Sequence, residues 1–255
     1  MSSPSDSPAP PAAPGADKSS APRRVVIVTG ASQGIGAGLA DSFRRAGYAV
    51  VGASRSIDPS DESDFLTVRG DIAEAETAKT IVEQAVNRFG RIDSLINNAG
   101  IFISKPFTDY TPEDYQAITS VNLAGFFHMT QSVIRQMLAQ GTGGHIVNIT
   151  TSIVDRPESA NPSALVSLTK GGLADVTRSL AIEYASRGVR FNAVALGVIE
   201  NPAYDPASYR GLAQLHPLGR VGQISDVVEG ILYLEQASFV TGVVLHIDGG
   251  QSAGD

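Results

Sequence analysis

The stretch "TGASQGIG", Thr29 to Gly36, decides how this chain folds. It ends the apolar burst "RRVVIVTG" (23–30), which reads as a buried strand, and runs into "GIGAGLADSFRRAG" (34–47), whose apolar spacing reads as a helix closed by Gly47. Strand, glycine-rich turn and helix in that order bring backbone amides to a helix N-terminus, where they suit a pyrophosphate. Gly30, Gly34 and Gly36 let the chain turn tightly and approach the ligand closely, and Ser32, Gln33 and Ile35 lie between them as further candidate contacts. The bland alternative is a tight strand-to-helix turn that binds nothing.

Working outward, apolar bursts alternate with helical patterns. "YAVVGAS", "DFLTVRGD", "IDSLINNAG", "GGHIVNITT", "VRFNAVAL" and "GVVLHIDG" read as strands. "AETAKTIVEQAVNRFG" reads as a helix ending at Gly90, and "ISDVVEGILYLEQ" as a late one. A long helix is expected over 111–141, with Thr111 as N-cap, Pro112 at its first position, and Glu113 and Asp114 near the positive end of its dipole. Another is expected over 161–188, capped by Asn161 with Pro162 following. Continuous Val/Ile-rich strands alternating with helices predict an α/β fold: a single-domain, doubly wound parallel sheet covered by helices on both faces. Residues 1–22, almost wholly Ser, Pro, Ala, Gly and Asp, read as a disordered tail, and the globular domain as 23–255. There is no internal repeat.

Composition narrows the function classes. The 255 residues carry 19 Lys+Arg against 26 Asp+Glu, a net charge of −7, so neither nucleic acid nor an anionic membrane is an expected partner. No cysteine is present, which removes disulfides, thiolate metal sites and cysteine nucleophiles. No apolar run approaches membrane-spanning length and no charged-then-apolar signal opens the chain, so a soluble, cytoplasmic protein is expected. The histidines are scattered (His128, His145, His216, His246) without clustered carboxylates, so no metal site is expected.

With these motifs in order, the chain resembles the classical short-chain dehydrogenase/reductase family. Its glycine turn is spaced Thr-Gly-x-x-x-Gly-x-Gly. "GD" followed by Ile72 resembles the family's adenine-contacting turn (Asp71, Ile72), and "NNAG" (97–100, with Asn98, Ala99 and Gly100) its motif after the fourth strand. "SVNLAG" carries Asn122 at the family's structural and catalytic asparagine, "GHIVNITT" matches the strand bearing the catalytic serine, and "HIDGG" the last strand. The resemblance spans about residues 24–251. It implies seven strands, a nicotinamide cofactor, a small-molecule substrate and a homotetramer or homodimer. At the end of the second strand, where an acidic residue would hold both ribose hydroxyls, stand Ser54 and Arg55. A neutral residue beside a guanidinium suits a 2′-phosphate, so NADP(H) is expected over NAD(H). The bland reading of Arg55 is a solvated loop residue.

In the family an Asn, a Ser, a Tyr and a Lys cooperate: the tyrosine transfers the proton, the lysine holds the ribose and lowers the phenol pKa, and the serine orients the substrate. Carried over, Asn122 and Lys170 match, while the serine falls on Thr151, with Ser152 as the neighbouring candidate. Within "NPSALVSLTKGGL" the tyrosine falls on Val166, four residues before Lys170, and valine cannot transfer a proton. In "VALGVIENP", Leu196 precedes Gly197 where a proline is common, Ile199 follows as a cofactor contact, and Asn201 stands where a threonine would bond the nicotinamide carboxamide. A missing general acid is worth about 100- to 10,000-fold in rate, which is roughly 3–5 kcal/mol. Three substitutes are conceivable: water relayed from Lys170 and Asn122; a group from the loop holding Tyr204, Tyr209 and His216; or an iminium-like substrate that needs no proton. Asp155 and Glu158 lie in the loop after Thr151 and read as solvated residues within reach of a substrate. The leading expectation is an NAD(P)-dependent oxidoreductase with a non-standard site. The alternatives are a catalytically inactive dinucleotide-binding or scaffold protein and a lyase or isomerase on the same fold.

Overall fold

A computed structural model describes residues 22–201 and 209–254. The expected tail, but for its last residue, and Tyr204 lie outside these ranges. Seven strands form one parallel sheet in the order β3-β2-β1-β4-β5-β6-β7. They are β1 (Val25–Thr29), β2 (Ala49–Ser54), β3 (Phe65–Arg69), β4 (Ser94–Asn97), β5 (Gly144–Thr151), β6 (Val189–Leu196) and β7 (Val244–Ile247). The helices are α1 (Gly34–Arg45), α2 (Ala75–Phe89), α3 (Pro112–Thr119), α4 (Phe126–Gln140), α5 (Ala164–Tyr184), the single turn α6 (Tyr209–Leu212) and α7 (Ile224–Gln236). The doubly wound α/β architecture is the one the alternation of patterns predicts.

Because strand side chains alternate, each strand feeds two cores. Val25 and Ile27 of β1 face a cluster with Ile81 of α2 and Val133 of α4. Val26 and Val28 face the opposite cluster, with Leu39 and Phe43 of α1 and Ile231 of α7. Both faces of the central strands are therefore buried, which explains their unbroken Val/Ile composition. The longest pairing, β5 with β6, runs in register from Gly144↔Val189 to Thr151↔Leu196 and brings Thr151 level with the end of β6. The strand order reverses at β1, which has β2 on one side and β4 on the other. A crevice opens there, beyond the carboxyl ends of the strands.

Two helix expectations need correction. The span 111–141 is not one α-helix: α3 and α4 are joined by a π-helical segment, Ser120–Gly125. Its start is as expected, since the Thr111 hydroxyl accepts from the Asp114 amide and the Asp114 carboxylate accepts from the Thr111 amide, a capping box. The second correction concerns α5, whose N-cap is Ser163 rather than Asn161. The Pro162 carbonyl is taken by the Lys105 amide and the Ser104 hydroxyl, so the chain turns helical only after it. Among the described residues no helix is long and apolar enough to cross a membrane.

Candidate active site

The floor of the crevice is fixed by β1 and β4. The Thr29 hydroxyl accepts from the amides of Asn98 (3.1 Å) and Ala99 (3.0 Å), and the Asn98 side chain donates to the Thr29 carbonyl at 2.9 Å. This clips the glycine turn to the exit of β4. Gly30 has φ of 69°, a left-handed conformation that glycine adopts without penalty. A Cβ on Gly36 would run into the Gly30 carbonyl oxygen, so the turn closes only around glycine there. A Cβ on Gly34 would instead meet nothing within 4 Å. Gln33 stands at the N-cap of α1 in extended conformation and no side chain caps the helix. The first-turn amides therefore face a cleft of about 970 Å³ lined by Ser32, Gln33, Gly34 and Ile35. An open, positively polarised helix end beside a close backbone turn fits a pyrophosphate.

At one end of this cleft lie Ser54, Arg55, Asp71 and Ile72. The Ser54 hydroxyl donates to the Ser32 hydroxyl at 3.0 Å, and the Ser56 hydroxyl reaches the same oxygen at 3.5 Å. Arg69 at the end of β3 donates its Nε to the Arg55 carbonyl at 2.8 Å, which holds the loop carrying Arg55. Three hydroxyls, the Arg55 side chain and the Asp71 carboxylate thus border this end of the cleft. Ser56 and Arg69 are missed by the sequence reading, because no motif ties a β3 terminus to the β2 loop. Asp71 accepts from the Ala73 amide at 3.0 Å, and Ile72 packs on Gly125 of the π segment, where a Cβ would lie 2.7 Å from its Cδ1.

At the other end Thr151, Val166 and Lys170 border the same cleft. The π segment turns Asn122 inward, to 1% exposure. Its amide oxygen accepts from the Ile101 N–H (2.9 Å), while its Nδ2 donates to the Ile101 carbonyl (3.1 Å) and to the Thr169 hydroxyl (3.2 Å). Asn122 thus ties the chain leaving β4 to α5. Lys170, 9% exposed, donates Nζ to the Ile149 carbonyl at 2.8 Å, and the Thr150 hydroxyl holds its backbone carbonyl at 2.8 Å. Burial without a counter-charge pushes its ammonium down from 10.5 to about 8. A Cβ on Gly100 would sit 2.9 Å from Nζ and 3.2 Å from the Asn122 oxygen, so glycine is what lets the two side chains converge. Val166, one turn earlier on α5, is 1% exposed.

The remaining candidates separate. The Ser152 hydroxyl is committed to the Leu196 carbonyl and Gln251 Oε1, leaving Thr151, half-buried at the cleft wall, as the available hydroxyl. His216 is buried. Its Nε2 accepts from the Val198 amide and its Nδ1 donates to the Asp248 carbonyl at 2.7 Å, which locks it as a structural residue. The Tyr209 hydroxyl both accepts from and donates to the Asn201 backbone. Asp155 pairs with His246 at 2.9 Å, and the half-buried His128 packs its ring on Phe127. His145 lies within β5, bonded to Glu235 of α7. Glu158, Gly197, Ile199 and Asn201 border the cleft. Among the described residues no group of three His, Asp or Glu could hold a metal.

A parallel, doubly wound sheet with a phosphate-cradling turn at its switch point, and a buried lysine across the same cleft, defines a nicotinamide-dinucleotide oxidoreductase. The chain belongs to the short-chain dehydrogenase/reductase family, and residues 30–252 match a family model described as enoyl-(acyl carrier protein) reductase. It is 36% identical over 241 residues to an uncharacterized oxidoreductase of Schizosaccharomyces pombe, covering 91% of this chain and 92% of that one. It is also 36% identical over 243 residues to a 3-oxoacyl-[acyl-carrier-protein] reductase of Thermotoga maritima, covering 89% and 97%. Among solved structures it resembles ElxO with NADP bound (TM-score 0.84, 29% identity, 91% of this chain and all of that one). A second is the 3-ketoacyl-(acyl-carrier-protein) reductase of Brucella melitensis complexed with NADH (TM-score 0.82, 32% identity, 90% and 98%). The protein is thus an NAD(P)-dependent oxidoreductase of this family.

Proposed function

We propose that this enzyme uses NADP(H) in preference to NAD(H) to reduce a small carbonyl compound or another activated acceptor. Its site is non-standard: Val166 takes the place of the proton-transferring tyrosine and Thr151 that of the serine. One observation carries the reading. Lys170 and Thr151 border the same cleft as the uncapped amides of α1, so a dinucleotide laid on the glycine turn runs toward both.

When bound, the nicotinamide supplies or accepts a hydride. The chain's own residues do the rest. The amides of the turn bind the pyrophosphate, and Gly30 and Gly36 permit the approach. Arg55 with Ser32, Ser54 and Ser56 grips a 2′-phosphate, Asp71 and Ile72 bound the adenine, and Asn98, Ala99 and Gly100 wall the ribose. Lys170 holds the nicotinamide ribose, Gly197 and Ile199 back the nicotinamide, and Thr151 directs its hydroxyl to the substrate oxygen. Asn122 works as a positioning residue, holding Ile101 against α5.

Self-association belongs to the same reading. It is supported by large apolar side chains left exposed, Phe127 on α4 with Leu168 and Ile182 on α5. The test is NADPH oxidation across a panel of ketones, aldehydes, imines and enones. Turnover of any of them supports the reading, whereas tight NADPH binding without oxidation across the panel contradicts it.

A further inference from the structure

We propose that Lys170 is the proton donor of this enzyme in carbonyl reduction, its ammonium taking over the duty that a phenol at position 166 would perform. The proposal rests on the oxidoreductase reading above and deepens it at the same site.

The first support is the supply of protons. An ammonium carries three N–H donors. At Lys170 one goes to the Ile149 carbonyl, and among the described residues no carboxylate and no second acceptor takes the others. The group borders the cleft, so the remaining donors serve whatever lies there. The second support is the commitment of the competing protic groups. Ser152 donates to Leu196 or Gln251, Tyr209 to Asn201, and His216 to Asp248. The Thr150 hydroxyl is spent on Lys170's own carbonyl, and that of Thr169 on the Leu165 carbonyl. The Thr151 hydroxyl accepts from the Ile153 amide at 3.5 Å and still has its O–H to give, but an alcohol with no base behind it orients a carbonyl better than it protonates an alkoxide.

The third support is position. Val166 and Lys170 are four apart on one face of α5 and border the same cleft, so the lysine lies one helical turn from the position of the absent phenol. The groups that the structure places beside the ammonium are uncharged. They are the Ile149 carbonyl, which Nζ bonds at 2.8 Å, and Gly100 with the Asn122 amide, whose approach to Nζ leaves no room for a Cβ on Gly100. The carboxylates of Asp71, Glu158 and Glu200 border the same cleft. Burial without a partner brings the ammonium to about 8, close to working pH, where a general acid is most effective.

The step balances. Hydride adds to the carbonyl carbon as the C=O π pair moves onto oxygen. One Lys170 N–H bond then breaks as the O–H bond forms, leaving a neutral amine and an alcohol. Water in the cleft reprotonates the amine, and NADPH is the reductant consumed.

The experiment compares two substrates in the wild type and in Lys170→Met at saturating NADPH: a ketone, whose reduction needs a proton, and a preformed cyclic iminium salt, whose reduction does not. The ratio of ketone to iminium kcat is expected to fall about 100-fold or more in the variant, while circular dichroism and NADPH calorimetry show it folded and still binding. In the wild type, ketone reduction is expected to fall as pH rises through about 8, with iminium reduction level over the same range. An unchanged ratio in a folded, NADPH-binding variant overturns Lys170 as donor and leaves the oxidoreductase reading intact. Wild-type protein that turns over neither substrate class sinks that reading, and this proposal with it. Lys170→Arg, which keeps the charge but cannot release a proton, is expected to lower the ratio as Met does; a preserved ratio there would show that charge alone suffices.

Discussion

Val166 and Lys170 stand one helical turn apart on the buried side of α5 and border the same cleft. One offers only methyl groups, and the other an ammonium 2.8 Å from the Ile149 carbonyl oxygen. The glycine turn borders the same cleft, and a valine side chain has no proton to give to anything held there.

Restoring a phenol is therefore informative. Val166→Tyr is expected to raise carbonyl reductase kcat, by the roughly 100- to 10,000-fold that a positioned general acid supplies less the part that the Lys170 ammonium already provides. Steady-state kinetics on the best ketone substrate measures it. No gain in a folded variant would show that Thr151, Asn122 and Lys170 do not keep the geometry the phenol needs.

Arg55 borders the end of the cleft that also holds Ser32, Ser54, Ser56 and Asp71, and the three serine hydroxyls bond one another. Arg55→Asp should weaken NADPH and spare or improve NADH, because it replaces a charge-assisted contact worth about 1.5–3 kcal/mol with repulsion. A reversal of the ratio of the two dissociation constants is expected, by about 10-fold or more. An unchanged ratio would assign Arg55 to solvent.

The sheet and most helix limits are legible in the sequence because they rest on local signals. Continuous apolar runs bounded by glycine mark β1 and β5, Thr111 followed by Pro112 marks the start of α3, and Gly90 marks the end of α2. The π segment at Ser120–Gly125 is not legible, since "SVNLAG" follows the same apolar rhythm as the helices it joins. Its extra residue appears only through the packing of Ile72 on Gly125. The cap of α5 is misread because Pro162 spends its carbonyl on Lys105, a contact from another loop. Ser152 and Thr151 are adjacent hydroxyls in the sequence, and only the bonds of Ser152 to Leu196 and Gln251 tell them apart.

A buried network at the opposite end of the sheet is equally invisible, because it joins His145 to a residue 90 positions away. Glu235 of α7 accepts from the Ser94 hydroxyl (2.7 Å), from Arg24 (2.5 Å) and from His145 (2.7 Å), while Asn192 donates to the other His145 nitrogen at 3.0 Å. Burial raises the Glu235 carboxyl, but its donors outweigh that and hold it below 4.5. Burial holds the imidazole below 6.5, so His145 is neutral in the fold. Glu235→Ala strands these donors and is expected to cost about 3–5 kcal/mol, read by denaturant unfolding.

Both groups have depressed folded-state pKa values, so the stability they contribute is present above the unfolded values. The His145 share declines as pH falls below 6.5 and the Glu235 share as it falls below 4.5. Unfolding free energy should therefore drop on acidification from neutral pH, and His145→Gln should flatten the upper part of that decline. A stability that rises on acidification through 6.5 would mean a charged imidazole in the fold.

The central claim is that the cleft at the β1–β4 switch point holds a nicotinamide dinucleotide against Lys170. Isothermal titration calorimetry with NADPH and NADH tests it most directly. One site per chain is expected, tighter for NADPH and weakened in Lys170→Met. No heat of binding with either nucleotide, from a protein that unfolds cooperatively, would contradict it.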